Sequence, residues 1–176
     1  MATRSRFTSE FKRFVVFSVL RCMIGGMNQQ IVNPNNARND VYRQNLEEIE
    51  ADGKCPFCPM GHTMDDPSEQ KKMVHANDSW IVKLNTHQLA GADLHVVLIL
   101  KDHKLRIGEL TEKESSDLVK AVSWLTDEYQ IGGGALYMRE GNTDRTGATV
   151  CHLHAQYVVP SENQNVTVGF GPPPTV

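Results

Sequence analysis

The segment Thr149-Val-Cys-His-Leu-His-Ala-Gln-Tyr-Val-Val159 constrains this chain more than any other stretch. Valine and tyrosine favour extended backbone and Pro160 closes the run, so the segment reads as a strand. Residues two apart in a strand point to one face. His152, His154 and Gln156 therefore form a polar row beneath an apolar ribbon. Such a row is costly to bury alone, and its usual partners are a metal, a phosphate or each other.

The 176 residues suffice for one domain with its own core. A net charge of −3 gives no reason to expect nucleic acid or an anionic membrane as the main partner. Cys55 and Cys58 form a C-x-x-C pair, while Cys22 and Cys151 stand apart. That is not the spread of a secreted disulfide scaffold, so a reducing, cytoplasmic setting is expected. Residues 1–26 differ from the rest. Five basic residues face only Glu10, and the apolar run Phe14–Leu20 is too short to span a bilayer. Signal peptide, mitochondrial transit peptide and a start at Met27 compete there, and the last is favoured. The expected division is a leader or disordered extension over 1–36, a folded domain over 37–160, and a flexible tail over 161–176.

Residues 37–51 carry Val41, Leu46 and Ile49 among charges and end at Gly53, which predicts a helix. Cys55-Pro-Phe-Cys58, with Pro59 and Gly61, predicts a tight knuckle, followed by a loop over 59–70. Val74 and Trp80–Leu84 suggest two short strands. Leu94–Leu100 is apolar on both faces, as in a central strand. Thr111 and Glu114 make a capping box for a helix with Leu118, Val122, Leu125 and Tyr129 on one face, stopping at Gly132–Gly134. Residues 135–139 form the next strand, and a polar loop over 141–147 leads to the histidine segment. The order predicts an α+β domain with a mainly antiparallel sheet.

Two thiolates at C-x-x-C spacing can reach one tetrahedral ion. A redox pair is the competing reading, but the strand-before, helix-after context is missing. Zinc needs two further ligands, and His62, His87, His95, His103 and His152 are candidates. His62 offers a local C-x2-C-x3-H, and His152 would tie the knuckle to the polar row. His154 is the candidate nucleophile, because an imidazole nitrogen can attack phosphorus to give a phosphoramidate. Gln156 can hold a phosphate oxygen but cannot be a general acid. The leaving group must then be a weak base, such as a phosphate. The stretch Gly141–Gly147 with Thr149 supplies backbone N–H groups, hydroxyls and a guanidinium, the groups that cradle phosphate.

These residues resemble the histidine-triad superfamily: Thr149-x-x-His152-x-His154-x-Gln156, Cys55-x-x-Cys58 upstream, and His95 and His103 between. Gln156 stands where the usual signature has a third histidine. An H-x-H-x-Q row is similar to that of galactose-1-phosphate uridylyltransferases and diadenosine tetraphosphate phosphorylases. The resemblance covers residues 37–160 and implies a histidine-triad-like antiparallel sheet of about five strands, two main helices and a zinc knuckle. It implies that His154 attacks an α-phosphorus with Gln156 beside it, and that Cys55, Cys58, His103 and His152 bind a structural Zn2+. It further implies that Thr149 contacts phosphate and Asn85 the ribose. Leu100 replaces the proline usual before the Lys-x-His ending. Arg139 lies near where many members carry a phosphate-binding asparagine, which moves that contact to Asn142 or Arg145. A homodimer through Leu118, Val122 and the 135–139 strand is also implied.

The expected function is a nucleotidyl hydrolase or transferase acting on a nucleotide conjugate, such as a dinucleoside polyphosphate or nucleotide sugar. A non-catalytic, zinc-stabilised nucleotide-binding protein is the alternative, and a Cys55/Cys58 redox protein the third. A small nucleotide is the expected partner. Organellar import through residues 1–26 competes with the cytoplasmic expectation.

Overall fold

The computed structural model describes residues 30–172, so the readings of residues 1–26 lie outside the described residues. Five strands form one antiparallel sheet in the order β1-β2-β3-β5-β4. They are β1 (Met73–Ala76), β2 (Trp80–Leu84), β3 (Ala92–Leu100), β4 (Ala135–Met138) and β5 (His154–Pro160). The helices are α1 (Asp40–Asp52), α2 (His62–Asp65), α3 (Pro67–Gln70), α4 (Glu112–Glu128) and α5 (Thr143–Thr146). The expected α+β class, five antiparallel strands and two main helices are all present. Among the described residues no helix is long and apolar enough to cross a membrane.

Strand alternation divides the sheet into two faces. Val96, Leu98 and Leu100 of β3 pack with Trp80, Val82, Ala155 and Tyr157 under Ala121 and Leu125 of α4. Burying each of the larger side chains stabilises the fold by about 1.5–3 kcal/mol. The Trp80 indole N–H donates to the Glu114 carbonyl (2.8 Å), fixing α4 to the sheet. Val97 and Ile99 face the other way, with Ile81, Met64 and Met73. His95 alternates with them, and the pairings Val97↔Gln156 and Ile99↔His154 put the polar row on this second face.

Four boundaries differ from expectation. The helix before the knuckle starts at Asp40, capped by the Asn39 side chain on the Tyr42 N–H (2.8 Å), after a 3-10 turn over Pro34–Asn36. Helix α4 ends before the glycines. Gln130 takes the left-handed conformation (φ 51), and Gln130 and Ile131 donate back to the Asp127 and Thr126 carbonyls. Those two bonds satisfy the helix end without glycine. Gly134 serves another purpose, since a Cβ there would lie 2.6 Å from the Tyr157 ring. The loop expected over 59–70 contains the one-turn helices α2 and α3. The histidine strand begins at His154 rather than Thr149. Val150 instead pairs with Val32, and Cys151 N–H donates to the Ile31 carbonyl (2.8 Å).

That pairing brings the end of the 1–36 segment against the domain. Val32 is fully buried, and it packs with Ala37, Leu46 and Val150. The buried Asn36 amide donates to the carbonyls of Thr143 (2.9 Å) and Ala148 (2.8 Å). Asn33 reaches Thr143 and Asp144. Residues 31–37 thus clamp the 142–149 loop. Residues 161–172 hold no helix or strand, and hydrogen bonds tie them to neighbouring segments. Ser161 N–H donates to Gly91 (2.8 Å), Gly171 N–H to Thr146 (3.1 Å), and Arg139 to the Gly169 carbonyl (2.6 Å).

Candidate functional site

The knuckle forms because Cys58 N–H donates to the Cys55 carbonyl (3.2 Å) and Gly61 N–H to Cys58 (2.9 Å). Gly61 is required by space: a Cβ there would collide with the Cys55 carbonyl oxygen and lie 2.9 Å from that of Cys58. Replacing Gly61 with alanine is expected to cost about 2–4 kcal/mol of stability. Bound zinc should fall below one per chain, measured by metal analysis of the purified protein.

Cys55, Cys58, His103 and His152 each offer a ligand atom, all within 4.8 Å of one another. The Cys55 Sγ to His152 Nδ1 distance is 3.4 Å, Cys58 Sγ to His103 Nδ1 3.3 Å, and Cys58 Sγ to His152 Nδ1 3.7 Å. A sulfur–nitrogen edge of a zinc tetrahedron is about 3.6 Å, from bond lengths near 2.3 and 2.1 Å. His152 Nε2–H donates to the Leu100 carbonyl (2.6 Å), which leaves Nδ1 as a bare lone pair facing the thiols. The Cys58 sulfur, and then the His103 and His152 rings, hold the Cys55 thiol well below its ordinary pKa despite its burial. Donor types, spacing and tautomer fit a tetrahedral zinc. His62 heads α2 and is not among the four.

His154 sits on β5, only 8 % exposed, with Phe57 of the knuckle edge-on at 5.2 Å. Its Nδ1 lies 2.7 Å from the His152 carbonyl oxygen. A carbonyl only accepts, so Nδ1 carries the proton and Nε2 keeps its lone pair. Burial, with the Arg139 charge adding to it, depresses the His154 pKa to about 4, against the bond to the His152 carbonyl. The ring is therefore neutral around pH 7.

Gln156 is oriented from both sides. Tyr137, directly opposite on β4, donates its hydroxyl to Gln156 Oε1 (2.6 Å). His95, diagonal on β3, donates Nε2–H to the same oxygen (2.7 Å). The Leu89 N–H donates to His95 Nδ1 (3.3 Å), which fixes that tautomer, and the Asn85 amide nitrogen lies against the same ring. With its oxygen doubly satisfied, Gln156 has its NH2 left as the donor.

The remaining sequence candidates are more scattered. Asn85 supports His95, and its Oδ1 accepts from the His87 N–H (3.0 Å), so both ends of its amide are held within the protein. Asn142 caps α5 through the Asp144 N–H (2.8 Å), and Arg145 lies exposed on that helix. Thr149 shares a hydrogen bond with the Tyr42 hydroxyl (2.9 Å). The Tyr42 ring meets His87 at 4.6 Å, so Tyr42 spans from the turn after β2 to the segment before β5. A substrate reaching the Thr149 hydroxyl must displace it. A small cavity lined by Asp78, Ser79, Lys101, Asp102 and Glu114 lies apart from this row. The sequence pattern singles out neither Tyr42 nor Tyr137, and it offers His95 only as a zinc candidate and as part of the family resemblance. Tyr137 was within reach, since alternation along 135–139 already placed it on one face with Arg139.

No family model matches the chain, and no curated protein matches it. The chain is similar to solved histidine-triad proteins. A Hit-like protein involved in cell-cycle regulation from Bartonella henselae is 16% identical, with a TM-score of 0.46, over 78% of this chain and 87% of that one. A histidine triad nucleotide-binding protein from Candida albicans is 19% identical, with a TM-score of 0.45, over 60% and 76%. A HIT family hydrolase from Clostridium thermocellum is 22% identical, with a TM-score of 0.42, over 55% and 84%.

Proposed function

We propose that the chain is a nucleotidyl hydrolase or transferase working through a covalent nucleotidyl-His154. The supporting observation is the His154 ring itself. It is neutral, locked by the His152 carbonyl with Nε2 unprotonated, and shares a sheet face with Gln156, whose oxygen is held by Tyr137 and His95. Nε2 attacks the α-phosphorus of a nucleotide conjugate, the N–P bond forms, and the P–O bond to the leaving group breaks. Gln156 donates to a non-bridging oxygen, where negative charge builds. It supplies no proton, so the leaving group departs as a stable anion. Water, phosphate or a sugar phosphate then attacks phosphorus, the N–P bond breaks, and neutral His154 returns. Thr149, once released from Tyr42, is a second phosphate contact, and Asn142, Arg145 and Asn85 are outer candidates for phosphate and ribose.

Cys55, Cys58, His103 and His152 would hold Zn2+ as a structural ion, since four protein ligands leave no open position. Zinc would supply rigidity, fixing the knuckle to His152 and so the carbonyl that holds His154. A homodimer through the edge strand β4, where Leu136 is exposed, and a cytoplasmic setting belong to the same reading. The division into an N-terminal extension over 1–36, a domain over 37–160 and a tail over 161–176 belongs to it too.

The test is a turnover screen of nucleotide sugars, dinucleoside polyphosphates and adenylated amines, with and without phosphate. Turnover of at least one class supports the proposal. Tight binding with no turnover of any class favours the non-catalytic alternative. Within an active class, Tyr137→Phe frees one side of Gln156. It should lower kcat roughly tenfold, the effect of about 1.4 kcal/mol, with KM little changed in steady-state assays.

A further inference from the structure

The side chains that would react are almost closed off. His154 and Gln156 are each 8 % exposed, and His95 behind them is fully buried. Attack needs a phosphorus within about 3.5 Å of His154 Nε2, so part of the surround has to move first. The polar row ends at two segments. Asn85 and Leu89, in the turn before β3, contact His95, and Thr149 precedes His152 at the other end. Those two segments are bridged twice. Tyr42 joins His87 to Thr149. Residues 161–171 join Gly91 to Thr146 and Gly147.

The second bridge is built as a strap. Ser161 N–H donates to the Gly91 carbonyl (2.8 Å) and its hydroxyl to Asp93 (2.6 Å). Residues 164–166 lie over Gly91, where a Cβ would come within 3.3 Å of the Asn165 carbonyl oxygen. At the far end Gly171 N–H donates to the Thr146 carbonyl (3.1 Å), and the Gly171 carbonyl leaves no room for a Cβ on Gly147. Between these ends Val166, Val168 and Phe170 alternate with Thr167 and Gly169, the pattern of an extended run with one apolar edge. Phe170 meets the Tyr137 ring edge-on at 5.9 Å, and Arg139 donates to the Gly169 carbonyl (2.6 Å). Tyr137 is the side chain that holds Gln156, so the strap crosses one residue away from the row.

The two bridges differ in what their release costs. Tyr42 stands on α1, which the buried Leu46 anchors one turn further on. No residue of 161–172 is buried, none lies in a helix or strand, and Phe170 is 67 % exposed. A segment with so few buried apolar contacts opens locally at far less cost than the fold itself. We propose, building on the nucleotidyl-transfer reading, that residues 161–171 are a strap that gates the polar row, closed in the free protein and lifting at Phe170 to admit a nucleotide. Ser161, tied to Gly91 and Asp93, is its hinge, and the Arg139 contact with Gly169 is its latch.

The test is stopped-flow binding of methylanthraniloyl-labelled AMP and UMP to the zinc-loaded protein. With the full chain, the observed rate should level off as nucleotide concentration rises, because opening becomes limiting. A chain ending at Gln164 keeps the hinge and loses the strap. Its association should be roughly tenfold faster or more, with the plateau gone, since the open form is then always present. Phe170→Ala should shift the rate the same way by several-fold. That ring is mostly exposed, so this variant carries the test if the shortened chain fails to fold. Unchanged association in both variants overturns the proposal. So does slower association with weaker binding, which would make the strap part of the ligand's own site. If the full chain binds neither nucleotide and shortening confers no binding, the strap gates nothing. Entry is read without turnover. Faster entry with no nucleotidyl-His154 would sink the catalytic reading alone, and a normal adduct with unchanged entry would sink the strap alone.

Discussion

Replacing His154 with alanine lowers kcat by about four orders of magnitude or more, the loss expected when a covalent nucleophile goes. Steady-state assays on whichever conjugate the screen identifies measure it. The variant should keep the same zinc content as the wild type, because His154 is not among the four candidate ligands. A buried imidazole has been removed, so some stability is lost as well, on the order of 1–3 kcal/mol. Zinc content and circular dichroism separate that loss from a loss of fold. His154→Asn preserves polarity without nucleophilicity and should be equally inactive. If the alanine variant keeps most of its activity, the imidazole is not the nucleophile.

Removing the proposed zinc is expected to have the second large effect. The four ligands come from three distant parts of the chain: the knuckle, the segment after β3, and the segment before β5. The ion would join them where few backbone bonds do. Chelation, or Cys58→Ser, is expected to lower the melting temperature by roughly 10 °C or more. This follows from a loss of several kcal/mol at about 2–4 °C per kcal/mol for a chain of this size. Differential scanning calorimetry with and without chelator measures it. Activity should fall with it, because the carbonyl that orients His154 belongs to the ligand His152. An unchanged melting temperature after complete zinc removal would contradict the structural role.

Much of this arrangement was legible in the sequence because it rests on local periodicity. Alternation put His154 and Gln156 on one face, and the C-x-x-C spacing marked the knuckle. The capping box at Thr111 and Glu114 fixed the start of α4. What escaped depended on contacts distant in sequence. His152 lies in a bend, outside the strand, because Val150 and Cys151 pair with residues 31 and 32. The buried Asn36 amide satisfies carbonyls more than a hundred residues away, which no local pattern announces. The α4 stop was misplaced because glycine is the usual left-handed residue and Gln130 took that conformation instead. The choice of His103 over His62 came from resemblance. Spacing alone left both open, and only the fold brings His103 to the thiols.

The most direct measurement is rapid-quench mass spectrometry of the zinc-loaded protein mixed with diadenosine tetraphosphate, UDP-glucose or whichever conjugate turns over. A nucleotidyl mass increment should appear on the peptide carrying His154 within the first turnover and be absent from His154→Ala. Active protein with no increment there, or an increment on another residue, would contradict the account.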